Sequence, residues 1–591
     1  MSHKPSKAYY VEGVHRFWID EGYVVCRIEC SDYYARQAQN FCGGCKEMDF
    51  LLYHPERRDL WLVEVKDYRF DARPKVGELV CALSRKVRDT MFLLRAASVA
   101  APDEEPAEGI SLRDFSIQAS GAETLHLAFL LEMGMGGVWT VGGLLADGTD
   151  GTNDLTFMYL DAIAHIRIPC TWTAVRLHAN TPHELMVKTA NVIRLGLGEP
   201  KIFNDDVTIP TMIANGRTVE DSRNYQVVGC VEPDTGGKEY GWHDAGDLNM
   251  NKVLEAAINH GYTNGGVQIA PDYGSLETFE TFDEVLDAYD KTMKYFVDKM
   301  VAYLNKLDLI HQEVKPLPFL SNIIEGCTAK GLDVTKGGAI YNFIGPQGVG
   351  VGSVGDGLST IKQLVFDEKK VTGKELLDAV KDNWEGHEKL YALVNSDYVH
   401  HYGNDDDYAD MLTKFGVETY CKHMNGKPTA HGGHFQAGVY SVTINVARGE
   451  MEDATIEGRK NNEPLSDCMG PVHTWCCSHD IKGPSAICKS VTKIDHSLAG
   501  NGTLLNWKFS PAALEGDIGR DNLIHLLETY VQRKGMHSQF SVCGKETMLE
   551  AQKNPKDYRD LLVRVAGYSA YFVELSKELQ SDIIGRTELS F

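Results

Sequence analysis

The stretch Arg564-Val-Ala-Gly-Tyr-Ser-Ala-Tyr-Phe572 decides how this chain is read. Taken alone, Gly567 is a turn or bulge glycine, the ordinary use of a residue without a Cβ. Working outward, Tyr558-Arg-Asp-Leu-Leu562, Asn501-Gly-Thr-Leu-Leu-Asn506 and Glu463-Pro-Leu-Ser-Asp467 precede it. Gly229-Cys-Val-Glu-Pro233 follows the same kind of pattern 337 residues before Gly567, counted to Cys230. By itself Cys230 reads as a small buried hydrophobe, and Glu232 as a loop carboxylate in a salt bridge. Yet residues i and i+2 of an extended or loop backbone can face one cavity. A carboxyl in a closed apolar pocket has a raised pKa and can act as acid or base near neutrality.

Taken together and in this order, the stretches strongly resemble the glycyl radical enzymes, the family of pyruvate formate-lyase and its relatives. Further resemblance lies in Asp147-Gly-Thr-Asp-Gly-Thr-Asn-Asp-Leu155, Val175-Arg-Leu-His178, Ile202-Phe-Asn-Asp-Asp206, Tyr341-Asn-Phe-Ile-Gly-Pro-Gln-Gly-Val349 and Tyr402-Gly-Asn-Asp-Asp406. It covers residues 138 to 591, about three quarters of the chain. The resemblance implies that Gly567 stores a radical, that Cys230 becomes the thiyl radical, and that Glu232 transfers protons. There is a chemical reason for glycine: a Cα radical delocalises between the flanking amide nitrogen and carbonyl, which works best when no side chain twists the centre from planarity. A thiyl radical in turn removes a hydrogen atom from an unactivated C–H, which no thiolate or side-chain base can do.

The fold so implied is α/β: the C-terminal portion of a ten-stranded α/β barrel over residues 138–450, followed by a glycine radical domain over 451–591. Family members are commonly about 800 residues, and the half of the barrel that precedes the Gly-Thr-Asn-Asp stretch has no counterpart here. A partner chain that supplies the half-barrel is one expectation; an inactive fusion or truncated product is the other. The resemblance implies no cofactor bound in the lyase, an activating enzyme that uses S-adenosylmethionine and an iron–sulfur cluster, a small-molecule substrate and a homodimer.

The neighbours of the cysteine divide the family. Pyruvate formate-lyase has two adjacent cysteines, whereas Gly229 precedes Cys230, so acyl cleavage of pyruvate is not expected. Cys-x-Glu resembles the branch of dehydratases, lyases and arylacetate decarboxylases. Within Lys238-Glu-Tyr-Gly-Trp-His-Asp244, Asp244 stands where diol dehydratases of the family hold a substrate hydroxyl, and His243 is a second substrate-binding candidate. A structural hydrogen bond is the alternative for both. Cleavage of a C–O or other C–X bond in a small polar substrate is the expected reaction, with decarboxylation as the alternative.

Composition agrees with an ordinary globular protein: 591 residues, 43% hydrophobic and 24% charged. No run of about 18 apolar residues predicts a membrane span, and the opening Met-Ser-His-Lys-Pro-Ser-Lys leads to no apolar stretch, so a cytoplasmic protein is expected. The 14 cysteines then read as thiols rather than a disulfide framework. A net charge of -24 disfavours nucleic acid as partner of the whole chain, but residues 1–100 carry 16 Lys+Arg against 14 Asp+Glu and stand apart as a module. There Asp49 and Glu64-Val-Lys66 resemble the Asp…Glu-x-Lys core of restriction-endonuclease-like nucleases, which implies a small α/β module with Mg²⁺ held by the carboxylates. A Mg²⁺-dependent nuclease is therefore a competing reading of the chain. Cys26, Cys30, Cys42 and Cys45 have tolerable zinc spacing, with a strand and a plain loop as the alternative. A helix is expected over Lys75 to Ala97, a polar linker at Ala101-Pro-Asp-Glu-Glu-Pro-Ala-Glu-Gly109 within a junction at 101–137, helices at Leu254–His260, Phe282–Leu307 and Leu523–Lys534, and a strand at Val439–Ala447.

Overall fold

The computed structural model describes residues 8–12, 15–19, 24–27, 50–56, 58–67, 86, 90, 94, 112–120, 124–132, 138–145, 174–473 and 478–591. The chain forms two compact units, Met1–Ile168 and Pro169–Phe591. The first holds a five-stranded sheet whose spatial order follows the chain: Val24–Cys26, Phe50–His54, Asp59–Asp67, Thr124–Glu132 and Val138–Leu145. All neighbours are antiparallel except Asp59–Asp67 and Thr124–Glu132, which run parallel. Parallel neighbours require a crossover, and helix Leu112–Ala119 lies in it. Of the helix expected over 75–97, Lys86, Thr90 and Leu94 are described and are helical, with Thr90 and Leu94 buried. The stretch expected as junction differs in that residues 112–132 build this unit. The reason is legible afterwards: Thr124-Leu-His-Leu-Ala-Phe-Leu-Leu-Glu132 is a nearly continuous apolar run, as suits a strand with neighbours on both sides. The linker 101–109 lies outside the described residues.

In the second unit, Glu239–Trp242, Tyr341–Ile344 and His434–Phe435 are consecutive parallel strands. Asp247–Asn249 continues the first of them beside Gln347–Val349. Single bridges from Gln347 to Gly438 and from Val439 to Thr503 carry the array to Asn506–Phe509. That strand runs parallel to His537–Val542, which pairs antiparallel with Lys201–Asn204, itself parallel to Ala174–Leu177. Among the described residues the outer strands, Glu239–Trp242 and Ala174–Leu177, are paired on one side only. The order is that of a barrel portion with helices between its strands. Helix Val351–Thr360 is buried along its whole length, and helix Asp407–Met424 buries Leu412, Val417, Tyr420 and Cys421.

The expected helices form at Met250–Ala257, Phe282–Val314 and Gly516–Gln532. Thr281 and Glu284 close the second with reciprocal side-chain-to-backbone bonds, the capping box that fixes its start. The strand expected at Val439–Ala447 is corrected: only Val439 bridges, and Ile444–Glu450 is helical. The β-branched run misled the reading because Val442 takes a left-handed turn, φ 51°, and the Ser441 hydroxyl accepts a bond from the Cys468 amide. Tertiary bonding overrides propensity here.

Two hairpins matter for the chemistry. Gln226–Val228 pairs with Glu232–Asp234, and Leu562–Arg564 with Ser569–Tyr571. Their tips, Gly229–Val231 and Val565–Tyr568, share one apolar cluster of Cys230, Val231, Tyr440, Cys468, Leu504 and Ala566.

Candidate active site

The second hairpin needs a residue with positive φ at its tip, and Gly567 supplies φ 79°. It is also the only residue type that fits: a Cβ there would collide with Cys230 Sγ and Cβ and would lie 2.8 Å from its Cα. The Cα–H that a side chain would replace therefore points at the Cys230 sulfur. Cys230 Sγ donates toward the Ala566 carbonyl at 3.6 Å, so the thiol addresses the peptide group immediately before Gly567.

Burial, followed by the nearby Glu232 carboxylate, pushes the Cys230 thiol up to about 12. It carries its hydrogen at neutral pH, the state needed for hydrogen-atom transfer and the wrong state for nucleophilic attack. Gly229, φ 58°, turns the chain at the first hairpin, and a Cβ there would sit 3.1 Å and 3.2 Å from the two Glu232 carboxylate oxygens. Glu232 is thus folded back over its own hairpin, its Oε2 accepting the Val231 amide at 2.5 Å. Burial raises its pKa against the pull of the backbone amides, which brings the carboxyl toward the acid–base range.

Beneath the tips lies a buried polar frame. Lys201 donates to the Gly229 carbonyl at 2.8 Å, and burial, with Arg564 adding to it, lowers its pKa to about 8. Arg564 donates through Nη1 to Glu199 at 2.7 Å and through Nε to Gln539 Oε1 at 2.8 Å. The same Gln539 oxygen accepts the Gly567 amide at 3.0 Å. Arg586 donates to the Val565 carbonyl at 2.6 Å and pairs with Asp582 at 3.0 Å. Each end of the Gly567 turn is thereby tied to a charged or amide side chain from a different part of the chain.

Downstream of the cysteine, Asp244 is exposed and near enough to raise the Cys230 thiol electrostatically. His243 is buried, 3.0 Å from Asn501 Oδ1 through Nδ1 and 4.0 Å from Asp234 through Nε2, and burial lowers its pKa. Asp234 shares the buried strand of Glu232; burial and Glu239 raise it to about 7. Glu239 itself is bound by Arg217 in a buried ion pair.

Among the described residues, Asp356, His401 and His479 bring three ligand atoms within 4.8 Å. The His479 Nδ1 to Asp356 Oδ2 separation is 2.6 Å, a hydrogen bond, whereas two ligands of one tetrahedral zinc at about 2.0–2.1 Å lie about 3.3 Å apart. The group is a buried carboxylate–imidazole hydrogen-bond network. Of the N-terminal candidates, Cys26 is buried on its strand and Glu64 and Lys66 lie two apart on Asp59–Asp67; Asp49, Cys30, Cys42 and Cys45 lie outside the described residues, as does the Asp147–Leu155 stretch.

Residues 130–449 match the pyruvate formate lyase-like family and residues 474–573 the glycine radical domain. The chain belongs to the pyruvate formate lyase-like family. It is 54% identical over 453 residues to the (2S)-3-sulfopropanediol dehydratase of Klebsiella oxytoca, covering 76% of this chain and 55% of that protein. It is 37% identical over 451 residues to the trans-4-hydroxy-L-proline dehydratase of Clostridioides difficile, covering 76% and 56%. Among solved structures, the glycerol-bound B12-independent glycerol dehydratase of Clostridium butyricum superposes with a TM-score of 0.71 at 43% identity, over 76% of this chain and 56% of that one. The chain spans about half the length of the relatives it matches.

In this member of the pyruvate formate lyase-like family, Gly567 lies inside the glycine radical match and Cys230 inside the other. The fold brings Gly567, Cys230 and Glu232 together and places His243 in a hydrogen bond with Asn501. Lys201, Gln539, Arg564 and Arg586 went unread in the sequence. Arg564 stood within the deciding stretch, but nothing in local spacing pairs it with Glu199, 365 residues away.

Proposed function

We propose that the chain carries the radical half of a dehydratase-type lyase: Gly567 stores the radical, Cys230 abstracts hydrogen, and Glu232 transfers the proton. The observation that carries this reading is the Gly567 Cα–H aimed at the Cys230 sulfur, with a buried carboxyl on the same hairpin as the thiol. The Gly567 radical takes the hydrogen of the Cys230 thiol, leaving a thiyl radical and an intact glycine. The thiyl takes a hydrogen atom from the substrate carbon beside the leaving group. Glu232, as carboxylate, accepts the proton of the hydroxyl on that carbon, and the resulting ketyl-like radical expels the neighbouring hydroxyl, which leaves as water by taking that proton back from Glu232. The product radical recovers a hydrogen atom from Cys230, and the resulting thiyl takes one from the Gly567 Cα, which restores the thiol and the glycyl radical.

The similar dehydratases named for a sulfopropanediol and for glycerol act on vicinal hydroxyls, so a small substrate with a hydroxyl next to the leaving group is favoured over an arylacetate. Asp244, exposed and close enough to act on the Cys230 thiol electrostatically, is the residue to hold such a hydroxyl. An activating enzyme that uses S-adenosylmethionine is required to take the first hydrogen from Gly567. The one-sided outer strands favour a second polypeptide that completes the sheet. Anaerobic activation followed by electron paramagnetic resonance tests the reading: a doublet that disappears in Gly567→Ala supports it, and turnover unchanged in that variant defeats it.

The first unit supports a separate reading as a Mg²⁺-dependent nuclease module. Three antiparallel strands followed by a parallel fourth, with Glu64 and Lys66 two apart on the central one, favour it. DNA cleavage that requires Mg²⁺ and is lost in Lys66→Ala tests it.

A further inference from the structure

We propose that Gln539 is a positioning residue that stabilises the unpaired electron on Gly567, an inference that rests on the radical reading of Gly567 given above. Strand His537–Val542 presents its buried side chain directly beneath the Gly567 hairpin. One oxygen of that side chain receives two donors: the Gly567 amide at 3.0 Å and Arg564 Nε at 2.8 Å. Neither donor can act as an acceptor, so the atom between them is oxygen and the amide orientation is settled by chemistry. On its other side the Gln539 nitrogen donates to Asn506 Oδ1, and Asn506 is itself bound to Asp467. The chain Asp467–Asn506–Gln539 therefore fixes which way the carbonyl points before any radical exists.

The consequence is electronic. Removal of a hydrogen atom from Gly567 leaves an electron shared between the amide nitrogen, as donor, and the glycine carbonyl, as acceptor. A hydrogen bond accepted from the amide N–H pushes electron density onto that nitrogen and increases its donation. The same bond holds the peptide plane, so the nitrogen lone pair stays aligned with the half-filled orbital on Cα. Arg564, drawing on the same oxygen, pins its position; its charge is balanced by Glu199 at 2.7 Å. A bond made to the nitrogen side of the radical centre is distinct from the sulfur contact on the Cα–H side, so storage and transfer of the electron are served by different residues.

The test uses the full chain activated anaerobically as wild type, Gln539→Leu and Gln539→Glu, with the melting transition of each measured alongside. Leu removes the acceptor, whereas Glu keeps an oxygen within reach of both donors. The expected result is a glycyl doublet in all three, with the radical in Gln539→Leu decaying about threefold to tenfold faster, the effect of losing one hydrogen bond, and an amide-nitrogen hyperfine coupling that changes in Leu and is restored in Glu. A purely structural role would move the melting transition and leave the nitrogen coupling unchanged. A wild-type doublet with the same lifetime and coupling in Gln539→Leu overturns the role of Gln539 alone. No doublet in the wild type overturns the Gly567 reading and this role with it.

Discussion

Gly567 and Cys230 meet tip to tip from two hairpins that lie 337 residues apart in the chain, and the space between them admits a hydrogen but no methyl group. Gly567→Ala therefore meets two separate obstacles. A left-handed backbone costs an alanine about 1–2 kcal/mol, and the new Cβ must displace the Cys230 side chain. A melting transition lowered by at least that amount is expected, together with loss of the radical signal. A variant as stable as the wild type would refute the tip-to-tip contact.

Cys230→Ser should separate storage from transfer. The serine hydroxyl fits the same volume but holds its hydrogen too tightly to surrender it to a glycyl radical. Activated protein should keep the doublet and show no turnover; detectable product formation would remove Cys230 from the reaction.

The neutrality of the Cys230 thiol has its own signature. With its pKa pushed up to about 12 by burial and by Glu232, the group stays protonated across the physiological range. Alkylation by iodoacetamide in native protein should therefore stay slow at pH 8 and quicken only as pH approaches 12, monitored by mass spectrometry of the Cys230 peptide. A rate that levels off near pH 9 would contradict this environment.

Glu232→Gln keeps the shape of the carboxyl and removes its proton chemistry. Turnover is expected to fall about 10²–10⁴-fold, the usual worth of a positioned general acid or base, while the radical yield is unchanged. Equal losses in both would instead mark Glu232 as structural.

Asp356 contributes to acid stability. Burial alone would raise it, but His401 and His479 hold it down to about 2. A carboxyl near 3.9 in the unfolded chain and about 2 in the folded one stabilises the native state by about 2–3 kcal/mol above pH 4, and that contribution is lost as pH falls through 2. In Asp356→Asn the melting transition should drop at pH 7 and lose much of its dependence on pH between 4 and 2, read by circular dichroism.

The proposed radical triad could be picked out before any coordinates because its residues stand in contiguous stretches: Gly567 within Arg564–Phe572, and Cys230 with Glu232 within Gly229–Pro233. Gln539 could not be read this way. Its importance comes from strand His537–Val542 running beneath a hairpin that follows it by a helix and a loop, and no periodicity encodes that placement. Lys201 was hidden for the same reason, since its partner, the Gly229 carbonyl, belongs to a different supersecondary unit. His243 shows a further limit of local reading. It stands beside Asp244 in the turn after strand Glu239–Trp242, and the ring turns inward to Asn501, 258 residues further on, a partner that local spacing does not encode.

A sulfur that keeps its proton is also a sulfur that oxidants and electrophiles largely ignore. While the protein waits for activation, Cys230 is poorly disposed to disulfide exchange or covalent capture by reactive metabolites, chemistries that depend on the anion. The burial that suits this side chain to the proposed one-electron work also protects it in the resting protein.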